Sequence, residues 1–183
     1  MPIWELPQPL SDRIPEKIVG DLPELVRRVD ALKRAGRVVV FTNGAFDLLH
    51  AGHVRSLRHA RALGDHLVVA VNSDASVRRA KGAHRPFFPE SERLELVAAL
   101  EPVDTVFLFD DDTADRLLEA LKPQIHAKGP DYAVDTVPER ATVAAYRGRV
   151  VIVGDRKDHS SSAIHRRLCG LRPAPGAGGG GDA

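Results

Sequence analysis

Two histidine side chains, His50 and His53, lie three residues apart, a few residues after a loop of small residues at positions 42–44. If a helix begins near Gly52, both imidazoles lie about one turn apart on the same side, at the positive end of the helix dipole. Such a helix start binds phosphate, and an imidazole there can donate hydrogen bonds to oxygens that gain negative charge in phosphoryl or nucleotidyl transfer. The spacing alone does not exclude two surface histidines beside a helix start, whereas a position after the first strand of an α/β chain favours phosphate chemistry.

The elements that position these histidines follow from alternating apolar and amphipathic segments. Five short apolar runs predict buried strands, at residues 37–42, 66–72, 105–109, 124–127 and 149–153. Because amphipathic segments separate them, the strands are expected to be parallel and covered by helices on both faces. The predicted class is α/β, a Rossmann-like doubly wound parallel sheet of about five strands, in which ligands bind beyond the carboxyl ends of the strands.

The predicted helices have recognisable ends. The first is capped by Asp21, with Glu24 closing a capping box, and ends at Gly36. Another has Pro89 in its first turn. The remaining helices are expected near residues 52–63, 73–82, 113–121, 137–146 and 160–168.

Composition bounds the possible classes of function. At 183 residues and 43% hydrophobic, the chain has enough apolar material for the core of one domain. Its 26 Lys and Arg nearly balance 25 Asp and Glu, so no overall charge favours nucleic acid or an anionic membrane as partner. A single cysteine, Cys169, excludes an intrachain disulfide and a cysteine-rich zinc site. With no recognisable signal peptide or spanning run, a cytoplasmic location is expected.

Proline and glycine mark the expected boundaries. Residues 1–16, which contain four prolines, are expected to form an extended N-terminal arm. Residues 17–171 form the predicted domain, and residues 172–183, rich in Gly, Pro and Ala, a disordered tail.

Several separated motifs carry a family resemblance. The segment GAFDLLHAGH, residues 44–53, resembles the signature of the cytidylyltransferase-like nucleotidyltransferase superfamily. Residues 62–82, 85–104, 127–132 and 160–164 resemble, in the same order, the adenylyltransferase domains of bacterial ADP-heptose synthases. The resemblance implies that a substrate phosphate attacks the α-phosphorus of a nucleoside triphosphate and releases pyrophosphate, with no covalent enzyme intermediate.

The resemblance also implies the roles of individual residues. His50, His53 and Lys128 are the implied catalytic groups. The implied nucleotide-binding positions are Thr42, Asn43, Gly44, Phe46, Gly52, Arg93, Gly129, Asp131, Ser160, Ser161 and Ser162. The implied substrate-binding positions are Asp47, Asn72, Arg78 and Lys81. Mg²⁺ is expected to arrive with the triphosphate, because no carboxylate cluster has the spacing of metal ligands.

Plainer structural alternatives accompany these assignments. Lys128 is otherwise a solvated loop lysine, one of the three serines at 160–162 a helix cap, and Arg93 a surface ion pair with Glu90 or Glu92. Asp47 is expected to brace its loop or cap the following helix, since an already ionised phosphate needs no general base.

The cationic segment at residues 78–81 poses a similar choice. Arg78 or Lys81 is expected to meet the substrate phosphate. Arg79 is expected to be a solvated charge.

Fewer residues bear on the choice of nucleotide and sugar. Glu101 stands where glycerol-phosphate cytidylyltransferases usually have arginine, and residues 71–82 resemble the heptose-type enzymes. Both favour ATP and D-glycero-β-D-manno-heptose 1-phosphate. Ala45, Pro130 and Asp158-His159 depart from the family pattern, and Pro130 lacks a backbone donor in a loop expected to touch the nucleotide. Two alternatives stay open: a CTP-dependent cytidylyltransferase for a polyol phosphate, and a catalytically silent nucleotide-binding regulator.

The resemblance extends to partners. It implies a homodimer, and a heptose destined for lipopolysaccharide or another surface glycan. Two-domain relatives carry a fused sugar kinase, which this chain is too short to contain. A separate kinase is therefore expected to supply the sugar 1-phosphate.

Overall fold

A computed structural model describes residues 14–154. Within this range the strands are β1 (Ile18–Val19), β2 (Val39–Gly44), β3 (His66–Asn72), β4 (Thr105–Phe109), β5 (Ile125–Lys128) and β6 (Arg149–Ile152). They form one sheet in the order β1-β4-β3-β2-β5-β6, with every neighbouring pair parallel. The predicted α/β class and the five predicted strands are confirmed. The sequence pattern misses β1, because two apolar residues are too short a run to indicate a strand.

The helices of the described part are α1 (Ile14–Lys17), α2 (Leu22–Arg34), α3 (Ala51–Arg61), α4 (Asp74–Lys81), α5 (Glu90–Ala98), α6 (Asp115–Leu121) and α7 (Arg140–Ala145), with a 3₁₀ turn at Val134–Thr136. None of these is both long and apolar enough to cross a lipid bilayer. The predicted helix at 160–168, the tail and residues 1–13 of the predicted arm lie outside the described residues, while residues 14–16 of that arm belong to α1.

The starts of α2, α5 and α7 differ from the predicted ones. Pro89, predicted in the first turn of its helix, is instead the N-cap residue of α5. The Asp21 carboxylate accepts a hydrogen bond from the N–H of Glu24 at 2.8 Å, as predicted. The Glu24 carboxylate, however, binds Nε of Arg28 at 2.7 Å, so the second half of the expected capping box is replaced by an ion pair. Helix α7 begins at residue 140 rather than 137, because Val137 precedes Pro138 and is held extended, with φ −69° and ψ 120°.

The sheet is covered on both faces, as a doubly wound fold requires. Side chains alternate along a strand, so Val39 and Phe41 of β2 pack in a core with α2 and α6, while Val40 packs in a second core with α3 and α5. All three side chains are fully buried. The central strand β2 is therefore packed on both of its faces.

The strand order reverses at the middle of the sheet. From β2 the chain moves outward through β3 and β4, and then returns to the other side of β2 to form β5 and β6. The connections leaving β2 and β5 therefore diverge, and the crevice between them is the usual ligand site of an open parallel sheet. Gly44 ends β2 and Lys128 ends β5, so both lie at this crevice.

Gly64 lies where the chain leaves α3 and passes close to the start of β2. A methyl group at this position would lie 2.7 Å from the carbonyl oxygen of Val38 and 2.8 Å from Cγ2 of Val40. Because Val40 is fully buried and the oxygen belongs to the backbone, neither neighbour can move away freely. The close approach of the helix end to the central strand therefore requires glycine.

Gly64→Ala is expected to lower the free energy of unfolding by about 1–3 kcal/mol, because the added methyl group overpacks this contact. Urea denaturation followed by circular dichroism measures the change. Gly20→Ala is the matched control, since no atom lies within 4 Å of the Cβ it would add. Its stability should be unchanged or slightly raised by the lower entropy of the unfolded chain. Equal losses in both variants would contradict the close-contact explanation.

Candidate functional site

A cavity of about 440 Å³ opens at the carboxyl edge of the sheet, over the crevice between β2 and β5. Most of the predicted site residues lie on its wall: Thr42, Asn43, Gly44, Phe46, Asp47, His50, Gly52, His53, Asn72, Lys81, Lys128, Gly129 and Asp131. Arg78 and Arg93 are not on the wall, and Ser160, Ser161 and Ser162 lie outside the described residues. The strand order thus gathers residues from both halves of the sheet.

The two histidines stand at the start of α3. His50 is the N-cap residue, and its Nδ1 accepts a hydrogen bond from the N–H of Gly52 at 3.1 Å. Nδ1 of His53 accepts from the N–H of His50 at 3.4 Å, so the two residues cap the helix reciprocally. Their ring centroids are 4.0 Å apart, and the His53 ring also packs against Phe46, with centroids 5.5 Å apart. The sequence places this helix start correctly to within one residue.

The hydrogen bonds that cap α3 determine which ring nitrogen of His50 and His53 carries the proton. A neutral imidazole carries one proton, and a ring whose Nδ1 accepts a hydrogen bond carries that proton on Nε2. His50 and His53 therefore each have an Nε2–H donor at the positive end of α3. This set of donors suits phosphate oxygens.

Lys128 lies on the opposite side of the crevice, at the end of β5. Its Nζ donates to Oδ1 of Asn43 at 2.9 Å and to Oε1 of Glu139 at 3.2 Å, and lies 5.3 Å from the centre of the Tyr132 ring. Only 6% of the residue is exposed. Burial lowers the pKa of Lys128, whereas the Glu139 carboxylate acts to raise it. Lys128 is therefore a buried, oriented amine rather than the solvated loop lysine of the plainer alternative.

His126 and Glu139 complete this cluster, and sequence reasoning missed both. Nε2 of His126 lies 3.3 Å from Oδ1 of Asn43. Burial, followed by the charge of Lys128, lowers the pKa of His126 to about 4, so its ring is neutral at pH 7. A histidine inside an apolar run and a glutamate before a helix carry no local signal of such a role, because the partners that define it lie on other elements.

Asp47 braces the loop at residues 85–88. Its Oδ1 accepts from the N–H of Phe87 at 2.5 Å, and its Oδ2 lies 2.6 Å from Nη1 of Arg85 in a buried ion pair. The alternative that Asp47 caps the following helix is wrong, because His50 occupies the cap. Asp47 lies on the cavity wall with both carboxylate oxygens engaged by this loop.

Arg93 lies inside the fold and not on the cavity wall. It was expected at the nucleotide phosphates, but it is 0% exposed. Its guanidinium donates to the carbonyl oxygens of Phe88, Ala45 and Asn72 and forms a 2.7 Å ion pair with Asp74. Neither the phosphate role nor the surface pairing with Glu90 or Glu92 is therefore seen; the side chain ties the ends of β2 and β3 to α5.

The positively charged side chains of α4 differ in their position relative to the cavity. Lys81 reaches the cavity wall, whereas Arg78 is exposed and away from it. Arg79 is not simply solvated, because its Nε lies 2.7 Å from the Asp112 carboxylate and its Nη1 is 3.4 Å from Asp110. Of the two candidates for the substrate phosphate, only Lys81 faces the cavity.

Comparisons with known proteins agree with this geometry. Residues 41–167 match the model of the cytidylyltransferase-like family. The chain is 52% identical over 135 residues to the bifunctional protein HldE of Geotalea uraniireducens and 53% identical over 131 residues to HldE of Trichlorobacter lovleyi. These alignments cover 74% and 71% of this chain but 28% and 27% of the relatives, so the chain spans less than a third of their length.

A solved structure is similar as well. It is the lipopolysaccharide core biosynthesis protein from Thermoplasma volcanium GSS1, with a TM-score of 0.59 and 31% sequence identity. The similarity covers 67% of this chain and 100% of that one. With the family model matched over more than half of the sequence, the chain belongs to the cytidylyltransferase-like family and is a nucleotidyltransferase.

Proposed function

We propose that this chain transfers the adenylyl group of ATP to a sugar 1-phosphate and releases pyrophosphate. D-glycero-β-D-manno-heptose 1-phosphate is the proposed acceptor. One observation carries the proposal: the imidazoles of His50 and His53 and the amine of Lys128 line one cavity at the carboxyl edge of the sheet. The likeness of residues 71–82 to heptose-type enzymes supports the choice of ATP and heptose, and the similarity to a lipopolysaccharide core biosynthesis protein supports a surface-glycan product.

The proposed reaction requires alignment of two polyanions and dispersal of charge. An oxygen of the sugar phosphate attacks the α-phosphorus of ATP, and the bond from that phosphorus to the oxygen bridging to the β-phosphate breaks as pyrophosphate leaves. No general base is needed, because the attacking phosphate is already ionised. A single donor aimed at developing charge contributes roughly 10²–10³ in rate, and the Nε2–H groups of His50 and His53 supply two such donors.

Mg²⁺ is the proposed companion of the triphosphate. Across residues 14–154, no group of three or more His, Cys, Asp or Glu side chains is arranged to hold a metal ion. The Glu139 carboxylate on the cavity wall is already paired with Lys128. These residues suit a triphosphate that brings its own ion, and bound Mg²⁺ would neutralise part of the phosphate charge.

His50→Asn is expected to lower kcat by about 100-fold or more, because asparagine can still cap α3 but has no Nε2–H. Pyrophosphate release measures the rate, and circular dichroism checks the fold. His59→Asn, at an exposed position of the same helix, is the matched control and should keep the wild-type rate. A normal kcat for folded His50→Asn would contradict the proposed mechanism.

Nucleotide choice is tested with ATP, CTP, GTP and UTP against a panel of sugar and polyol phosphates. The kcat/KM for ATP with heptose 1-phosphate is expected to exceed that of the other pairs by about tenfold or more. A preference for CTP with a polyol phosphate would instead support the cytidylyltransferase alternative. Nucleotide binding without turnover of any pair would support the silent regulator.

Lys81→Met is expected to raise the KM for the sugar phosphate by about tenfold, because it removes a charged donor from the cavity wall. The KM for ATP should change less. Arg78→Met is the matched control on the same helix: it removes the same charge away from the wall and should change KM by less than about twofold. Equal effects of the two substitutions would argue for a general charge effect rather than a contact of Lys81 with the substrate.

A further inference from the structure

Glu139 contacts the buried amine of Lys128 from the start of α7. It is 2% exposed, at the N-cap of α7, and its Oε1 lies 3.2 Å from Nζ of Lys128. The same oxygen accepts from the N–H of Ala114 at 3.3 Å, which ties Glu139 to the start of α6. Its other oxygen, Oε2, is buried with no hydrogen-bond partner among the described residues. The carboxylate is therefore fixed in place with Lys128 as its cationic partner.

The charged and titratable groups around Lys128 come from each element packed against it. Glu139 precedes α7 and Asp115 begins α6, and both carboxylates favour the charged amine. His126 lies on β5 itself and is neutral at pH 7. The Tyr132 ring, from the loop after β5, lies beside Nζ. Glu139 is the one among them that contacts the amine as an anion.

Burial lowers the pKa of Lys128, which opposes the positive charge that the amine needs to attract phosphate. An ammonium group taken out of water tends to lose its proton, and a neutral amine cannot attract an anion. A flexible four-carbon side chain also needs fixed acceptors to direct its remaining donor. Asn43 supplies one neutral acceptor, and Glu139 supplies both an acceptor and a compensating charge.

We propose that Glu139 is a positioning residue, which keeps Lys128 charged and directed at the nucleotide phosphates. It acts through Lys128 and does not itself touch the reacting atoms. The inference rests on the adenylyl transfer proposed above, and it adds a residue outside the set implied by the family motifs.

Glu139→Gln removes the charge with little change of shape. The pKa of Lys128 then falls further, so its positive charge is present at low pH and is lost as the pH rises through that lower pKa. Isothermal titration calorimetry with inorganic pyrophosphate and Mg²⁺, from about pH 6 to about pH 9, measures the effect. Binding should stay within about threefold of wild type at the acid end and become weaker by about tenfold or more at the alkaline end. A loss of equal size at every pH would overturn the proposal.

Three further variants complete the test. Glu139→Asp retains the charge and should keep the pH dependence of the wild type. Lys128→Met has no titratable amine, and the double variant Glu139→Gln/Lys128→Met should bind pyrophosphate no more weakly than Lys128→Met alone. Because the double variant contains no unpaired ion from this pair, it remains informative if Glu139→Gln does not fold. An additional loss in the double variant would overturn the proposal.

Pyrophosphate binding needs neither turnover nor the correct sugar, so the two proposals can fail separately. A wild-type chain that makes no ADP-sugar, together with the expected pH dependence in Glu139→Gln, would overturn the proposed function alone. An active chain in which Glu139→Gln weakens pyrophosphate binding equally at all pH values would overturn the positioning role alone.

Discussion

The reversal of strand order between β2 and β5 is the constraint on which the candidate site depends. It makes two strands neighbours although Asn43 and Lys128 lie 85 residues apart, and a 2.9 Å hydrogen bond joins their side chains. The same reversal opens the crevice beside the start of α3, where His50 and His53 cap the helix. Donors from both halves of the sheet thus meet around one cavity, and the spacing of β2 and β5 sets the distance between Asn43 and Lys128.

Two ion pairs made by buried arginines stiffen the surroundings of this cavity. Arg85 meets Asp47 at 2.6 Å, and Arg93 meets Asp74 at 2.7 Å. Such pairs add little net stability, since desolvation offsets much of their attraction. Removal of one partner, however, strongly lowers the free energy of unfolding. Their effect is therefore mainly geometric. Arg93 in particular gathers carbonyl groups from the ends of β2 and β3, which holds the loops of the site in a single arrangement.

Neighbouring cations compensate the negative charge of several carboxylates near the cavity. Three of the carboxylates on the wall are paired with cations: Asp47 with Arg85, Glu139 with Lys128, and Asp112 with Arg79. A polyphosphate in the cavity would therefore meet imidazole and ammonium donors, and these three carboxylates would not face it as isolated charges. Such a fixed, compensated environment favours charge stabilisation without reorganisation when the phosphate charge shifts.

Local sequence patterns were sufficient to predict many of the strands and helices. The predicted strands at 66–72 and 105–109 have the bounds of β3 and β4, and the helix predicted near Gly52 begins one residue earlier, because periodicity and capping act over a few neighbouring residues. The motif around His50 and His53 is local for the same reason. The environment of Arg93 is not local, since the carbonyls and carboxylate that bind its guanidinium come from three separate segments, at residues 45, 72–74 and 88.

The sequence alone determined the α/β alternation, the histidine pair at a helix start and membership of a nucleotidyltransferase family. Only the tertiary structure decided that Arg93 is internal, that Lys81 rather than Arg78 faces the cavity, and that Glu139 pairs with Lys128. The reason is physical. Spacing along the chain sets periodicity and caps, whereas burial and ion pairing depend on distances across the sheet between segments that the sequence separates.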